Sequence, residues 1–325
     1  MRRAVFWLVL LVPSGAAAVV TAARILQPGG ALWVQLVAFT PVAGVLYLVV
    51  LLVLLLRVLS PGAGWRRPIW AGLAAAVVVP LTLHAWWLAP MYLGSAPTAA
   101  ADTEPLTVLT SNAKRGGIDA VGLVQTASDR RADVIVAQEV TEQQVKMMDS
   151  AGLADGWPYR IGDPGTGPEG TMVFSRYPLG EPTAVRTRFA SWDVTVSAPG
   201  GDLRLLAVHP SPPTNVTRWR LDQATLLRAA DGVDLMVGDF NATLDHAPIQ
   251  RLEDEGFSDA AELTNAGWQP TWPENGKFRV LGIAIPPAVA IDHVLVGPRL
   301  TALSTSTVTI SGTDHAVVIA TVARR

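Results

Sequence analysis

The chain has 325 residues, 50% of them hydrophobic and 16% charged, with no cysteine, which excludes a disulfide framework, a thiolate zinc site and a cysteine nucleophile. Charge is unevenly placed: residues 1–94 hold six Arg and no Lys, Asp or Glu, while 95–325 hold 19 basic against 27 acidic residues, a formal charge of −8. A uniform soluble globule is excluded, and a domain that wraps the nucleic-acid backbone is disfavoured, because that affinity needs clustered Lys and Arg.

Residues 4–23 carry no charge, about the span of a bilayer core at helical rise. A second apolar run covers 31–56, and a third covers 69–93 and ends in Trp86, Trp87 and Tyr92, aromatic residues of the kind that settle at headgroup level. Lipid offers no partner for backbone polar groups, so each run is expected to be a helix, bent rather than abolished at Pro13, Pro41 and Pro80. Arg2, Arg3, Arg57, Arg66 and Arg67 fall on one side of these spans against Arg24 on the other. The positive-inside rule therefore places the N-terminus in the cytoplasm and everything after Leu93 outside, in a multi-pass protein of the cell membrane. Cleavage of the first run as a signal peptide, at its small residues Gly15-Ala16-Ala17-Ala18, leaves the same part outside. His84, in the third run, is read as structural or interfacial.

Residues 94–105 are small and Pro-containing and read as a short flexible tether. From 106 to 325, β-rich runs at 106–110, 133–138, 171–175, 193–197, 203–208, 234–239, 290–297 and 316–322 alternate with helical stretches at about 118–129, 141–150 and 216–230. That pattern is an α/β layered domain, large enough for its own core.

The informative polar residues lie at the ends of these runs, where a sheet holds side chains rigidly and loops admit a substrate. They are Asn112, Glu139, His209, Asp239 with Asn241, Asp292, and Asp314-His315. Any one of them is an ordinary turn residue or cap; the ordered set is what carries information. Carboxylates and an amide converging with two histidines make a hard-cation site beside a proton-handling site, and oxygen donors favour Mg²⁺, Mn²⁺ or Ca²⁺. Such an ion orients and neutralises a phosphate, so metal-assisted phosphoester hydrolysis is expected.

The order and context of Gln138-Glu139, Gly238-Asp239-Phe240-Asn241 and Asp314-His315 resemble the endonuclease/exonuclease/phosphatase superfamily over about 105–325. The resemblance implies a DNase I-like fold, a two-layer β-sandwich flanked by helices, with Mg²⁺ (or Mn²⁺) as cofactor. It implies Glu139 as principal metal ligand, with Asn112 and Asp314 near the same ion. Asp239 would orient or deprotonate the attacking water, Asn241 would hold the phosphate and that aspartate, and His209 and His315 would stabilise the developing charge. Asp292 would fix the tautomer of His315, and Glu169 would partner the first histidine. Beyond the family pattern, Lys114 and Arg115 read as a solvated loop or as phosphate contacts, and His209-Pro210-Ser211-Pro212-Pro213 forms a stiff loop. Arg218 and Arg220, with Trp219 between them, read as a helix face or a substrate rim. Trp268 and Trp272 flank a Pro-rich loop, read as core packing or a lid, His246 reads as a loop residue, and His293 should face away from Asp292 across the strand.

The function expected is a membrane-anchored, extracytoplasmic phosphohydrolase acting on a phosphoester or pyrophosphate, with a lipid-linked phosphate among the substrates the layout favours. The layout and composition are similar to those of membrane phosphatases associated with glycopeptide resistance. A surface nuclease is the alternative within the enzyme class, and a noncatalytic envelope sensor or scaffold the alternative outside it. No obligate protein partner is inferred.

Overall fold

The computed structural model describes residues 2–94, 97–101 and 103–325. Ser95, Ala96 and Asp102 of the expected tether lie outside the described residues. The chain forms two compact units, 1–90 and 91–325.

The first unit is helical: α1 (Arg2–Leu26), α2 (Ala31–Val37), α3 (Thr40–Leu59), a 3-10 segment (Pro61–Arg66) and α4 (Arg67–Leu88). Among the described residues, three helices are long and apolar enough to cross a membrane: Val5–Leu26, Thr40–Leu59 and Pro61–Leu88. Their outer faces stay apolar, as with the exposed Leu8, Val12, Leu52, Leu56 and Val79, which suits lipid as solvent. The second run is not one helix from residue 31. It divides at 38–39, and Pro41 sits in the first turn of α3, where its missing N–H leaves no bond unmade. Pro13 and Pro80 do lie inside α1 and α4. The third run ends at Leu88, and Pro90 opens a single turn, α5 (Pro90–Leu93). His84 is buried, with Nδ1 2.9 Å from the Thr40 carbonyl and Nε2 3.0 Å from Thr21 Oγ1, itself 3.0 Å from the Tyr47 hydroxyl. This network ties α1, α3 and α4 together, the cross-helix bonding that polar residues provide in apolar bundles.

The second unit runs β1 (Leu106–Asn112), α6 (Ala120–Asp129), β2 (Val134–Gln138), α7 (Glu142–Ser150), α8 (Leu153–Gly156), β3 (Tyr159–Asp163), β4 (Thr171–Ser175), β5 (Thr183–Val185), β6 (Ser191–Ala198) and β7 (Gly201–Val208). It continues with α9 (Val216–Ala229), β8 (Leu235–Asp239), α10 (Ala247–Asp254), β9 (Ser258–Asp259), α11 (Ala260–Leu263), β10 (Arg279–Val280), β11 (Ile283–Ala284), β12 (Asp292–Val296), β13 (Leu300–Val308) and β14 (Val317–Arg324). Two six-stranded sheets form, ordered β13-β14-β1-β2-β4-β3 and β5-β6-β7-β8-β12-β9. Each contains one parallel pair, β1 with β2 and β7 with β8, crossed over by α6 and α9.

The halves repeat one further device. Asp133 Oδ2 accepts the Thr107 N–H at 2.8 Å, and Asp234 Oδ2 accepts the Arg204 N–H at 2.9 Å, so a carboxylate pins the entry of each crossover strand. Between the sheets, Val108, Val134 and Val136 meet Leu205, Ala207, Leu235, Val237, Val294 and Val296. On the outer face of the first sheet, Leu109, Ile135 and Phe174 pack under Leu123 and Val124 of α6 and Met148 of α7. Helix α6 forms because Asp119 caps it, accepting the Val121 N–H at 3.1 Å, and because Ala120, Leu123, Val124 and Ala127 line one face at helical spacing. The expected two-layer sandwich flanked by helices is the observed fold.

Candidate active site

Side chains alternate faces along a strand, and here that alternation aims the polar residues. Val108 and Thr110 point between the sheets, and Asn112 follows them at the end of β1. In the same way Leu205 and Ala207 lead to His209, Leu235 and Val237 lead to Asp239, and Val296 and Val294 lead back to Asp292. The core stripe of each strand thus ends in a polar side chain at one rim of the sandwich. Asn112, His209, Asp239, Asp292 and His315 are all buried there.

Asp239 is the centre. Its Oδ1 accepts the Asn241 N–H at 2.8 Å, and its Oδ2 accepts Asn112 Nδ2 at 3.0 Å. That oxygen lies 3.9 Å from His209 Nε2 and 4.0 Å from His315 Nε2. The same Asn112 amide reaches Glu139 Oε1 at 3.3 Å, and its Oδ1 accepts the Lys114 N–H at 2.9 Å. Within β8, Gly238 has φ 148° and leaves no space for a Cβ against the Val208 carbonyl of β7, so glycine lets the two strands approach where His209 and Asp239 follow. Asn241, with φ 48°, donates through Nδ2 to the Pro210 carbonyl at 3.0 Å.

Asp292 Oδ2 lies 2.9 Å from His315 Nδ1, while its Oδ1 is buried without a partner. Thr271 Oγ1 accepts the Asp292 N–H at 3.3 Å. Thr313 Oγ1 receives the His315 N–H at 3.1 Å and donates to the Asn112 carbonyl at 2.7 Å, joining the last loop to β1.

These contacts set the charges. Burial, then the neighbouring Asp292, pushes the Asp239 carboxyl up to about 7, against the pull of His315, Asn241 and Asn112. Burial, with His315 beside it, drives His209 down to about 3, so its ring is neutral. Burial also opposes charge on His315, but the Asp292 carboxylate, helped by Asp239 and Asp314, outweighs it and raises the imidazole to about 9.

Not every expected residue joins this cluster. Asp314 is directed to Lys277, with Nζ 3.5 Å from Oδ2. Glu169 does not reach His209. It is exposed and accepts Thr166 Oγ1 at 3.2 Å, because its Gly- and Pro-rich loop turns it to solvent. The His209 Nδ1 is buried with no partner. Lys114 is half-buried and Arg115 exposed, both with positive φ in the loop after β1. Arg218 is drawn to Asp222, 3.0 Å away, rather than standing as a free rim. His246 begins α10 and its Nδ1 accepts the Thr243 N–H at 2.9 Å. His293 faces away from the site, as its strand position requires, and meets Asp259 Oδ2 at 2.7 Å.

The residues that sequence reading missed are on α9. Its buried stripe is Trp219, Asp222, Gln223 and Leu226, an i, i+3, i+4, i+7 pattern in which two of four positions are polar. Asp222 Oδ2 accepts the Ser211 and Arg188 N–H groups at 2.9 and 3.0 Å. Gln223 Nε2 donates to the Phe240 carbonyl at 2.7 Å, and Trp219 Nε1 to the Asn241 carbonyl at 2.9 Å. One helix therefore holds the loops that carry both His209 and Asp239. Polar residues on a helix's apolar stripe were the available signal.

A family model described as the Endonuclease/Exonuclease/phosphatase family matches residues 109–315. A search of curated proteins finds no sequence match. Among solved structures, an endonuclease/exonuclease/phosphatase from Beutenbergia cavernae is similar at TM-score 0.54 and 19% identity, over 68% of this chain and 72% of that one. The D. rerio TDP2 structure complexed with single strand DNA product is similar at TM-score 0.55 and 15% identity, over 67% and 99%. A family protein from Leptotrichia buccalis gives 0.51 and 15%, over 66% and 98%. At these identities the likeness is one of fold.

Proposed function

Since the chain belongs to the endonuclease/exonuclease/phosphatase family, whose members are metal-dependent phosphoester hydrolases, we propose that it hydrolyses a phosphoester or pyrophosphate of a lipid-linked substrate at the outer face of a cell membrane. The observation that carries the chemistry is the Asp239, Asp292 and His315 group, whose ligand atoms all lie within 4.8 Å of one another. The membrane part of the reading is supported by three apolar helices and by the distribution of arginines around them.

The residues fit a hard divalent cation. Two buried carboxylates share one imidazole, one of their oxygens is orphaned, and Glu139 stands one amide away. Glu139 and Asn112, beside this carboxylate pair, would hold Mg²⁺ or Mn²⁺, which when bound would neutralise phosphate charge and polarise the phosphorus for attack. Asp239 takes the proton of the attacking water; the Asn241 N–H and Asn112 amide keep its carboxylate in place, and a pKa near neutrality suits a base. His315, kept protonated by Asp292, donates to a non-bridging oxygen as charge develops. His209 is neutral and stands 3.9 Å from the same Asp239 oxygen. Lys114 and Arg115, in the loop that follows Asn112, would add positive charge for a phosphate.

The test is phosphate release by the full-length chain in lipid vesicles, with Mg²⁺ or EDTA, on a lipid pyrophosphate, a soluble phosphodiester and DNA. Mg²⁺-dependent release from the lipid substrate, lost in Asp239→Ala, is expected. Preference for DNA would replace the reading with a surface nuclease, and no turnover with a noncatalytic sensor.

A further inference from the structure

Strands β10 and β11 pair Arg279 with Ala284 and Val280 with Ile283 around a two-residue turn, Leu281-Gly282. Both turn residues have positive φ, 50° and 82°. Tight hairpins of this kind take Asn, Asp or Gly at the first turn position, because an L side chain there is strained and only short polar ones compensate by local bonding. Here that position holds Leu281, and its side chain is 97% exposed. Beside it, Ile283 is 74% and Val280 57% exposed, with Phe278 also open. An apolar residue at a strained, solvated turn offsets neither cost within the fold, and such local violations mark functional positions.

The charge pattern around the tip points to one occupant. Between Glu274 and Asp292 there is no acidic residue, and of the two charges present Lys277 lies 3.5 Å from Asp314 Oδ2, which leaves Arg279 as the basic charge of the tip, within a domain of formal charge −8. Arg279 Nη1 donates to the Gly282 carbonyl at 3.1 Å, so the guanidinium sits at the tip's own level. An apolar point with a basic side chain beside it fits the boundary between anionic headgroups and acyl chains. The tip also belongs to a chain with three bilayer-length apolar helices, and 17 residues, 89–105, join the last of them to β1, a reach of at most ~60 Å.

The hairpin is fixed at its base rather than hanging free. Asn275 Nδ2 donates to the Ile310 and Thr313 carbonyls at 2.8 and 2.7 Å, and the Glu274 N–H donates to the Asp314 carbonyl at 2.8 Å. Phe278 meets the Trp272 ring edge-on at 5.1 Å. The staple therefore joins the apolar tip to the loop that carries His315.

We propose that the β10–β11 hairpin is a membrane-docking element, with Val280, Leu281 and Ile283 entering an anionic bilayer surface and Arg279 at the level of its phosphates. This rests on the membrane-facing reading of the site and goes beyond it by assigning the surface that meets lipid.

The absence of cysteine makes the test direct. The full-length chain, reconstituted in vesicles of phosphatidylglycerol and phosphatidylcholine, carries a nitroxide on Leu281→Cys or, as the water-exposed control on α6, on Val121→Cys. The label at 281 is expected to lose most of its collisions with a water-soluble nickel chelate and gain collisions with oxygen, relative to 121. A label at 281 as open to the chelate as at 121, or shielded from both quenchers as by a protein partner, would overturn the proposal. In parallel, Leu281→Asn installs a residue the turn prefers, so it does not threaten folding. It is expected to lower turnover of a vesicle-borne lipid pyrophosphate several-fold and leave a soluble phosphodiester unaffected; equal loss on both would count against docking. If the unmodified chain turns over neither substrate, the hydrolase reading fails while the label still decides whether the hairpin meets lipid.

Discussion

Asp239 and Asp292 are direct cross-strand partners in the antiparallel β8–β12 pair. Two carboxylates facing one another inside a protein repel unless something positive is placed against them, and His315 supplies that charge 2.9 Å from Asp292. Replacing Asp292 by Asn removes the group that holds the imidazole at about 9. Turnover is expected to fall about 10²–10³-fold, the usual cost of losing a positioned charge donor. The imidazole is protonated below its pKa, so activity that needs it declines as pH rises through about 9 in the parent chain. In Asp292→Asn that decline moves to lower pH. A pH–rate profile with the histidine followed by NMR checks both; an unmoved profile would exclude the pairing as the source of the charge.

Glu139 lies one hydrogen bond from Asn112 and carries a positive φ of 55° at the end of β2, an uncommon backbone position for a glutamate. If it holds the cation, Glu139→Gln weakens Mg²⁺ binding by about 10–100-fold, the range for loss of a coordinating or supporting group. Mg²⁺ titration calorimetry on the full chain is the measurement, with circular dichroism to show the fold intact. Unchanged affinity would move the principal ligand role to the Asp239–Asp292 pair.

Asp222 lies on the buried stripe of α9 and accepts two backbone N–H groups, from Ser211 and Arg188. Asp222→Ala strands both donors, a loss of about 1–3 kcal/mol, and frees the loop behind His209. Denaturant unfolding should show the stability loss. Steady-state kinetics on a soluble phosphodiester should show a fall in kcat larger than any rise in KM, and Asp222→Asn should restore part of both. A stability loss with unaltered kcat would leave Asp222 with a purely structural role.

The eight strands read from the sequence all form, because each is a short apolar run with a polar residue at or beside one end, and those ends exposed Asn112, His209, Asp239 and Asp292. The long edge strand β13 was not legible: after Leu300 its Ser304, Thr305, Ser306 and Thr307 read as loop, and only pairing along β14 makes them a strand. The break before Pro41 was legible in principle, since proline favours a helix's first turn over its interior. Asp314 was singled out at a strand end and given its metal role by resemblance, and Glu169 was placed by resemblance alone. Lys277, which draws Asp314 aside, comes from a loop whose approach no local pattern encodes, and Glu169 is held by Thr166, three residues before it in the same exposed loop.

Glu262, on α11, stands behind the site near the Asp259–His293 pair. Burial, then the charges of Asp259 and Glu253, raise its carboxyl to about 8 from an ordinary 4.5. Its folded pKa lies above its unfolded one, so the folded chain keeps a proton that the unfolded chain releases. Its contribution is fully present below about 4.5 and is lost as pH rises through about 8. Glu262→Gln stays neutral at every pH and removes that dependence. Thermal melts of the parent and the variant should nearly coincide at pH 4.5, and at pH 8 the variant should melt several degrees higher. A variant that melts lower at both pH values would mean that the carboxyl makes a hydrogen bond worth more than its charge costs.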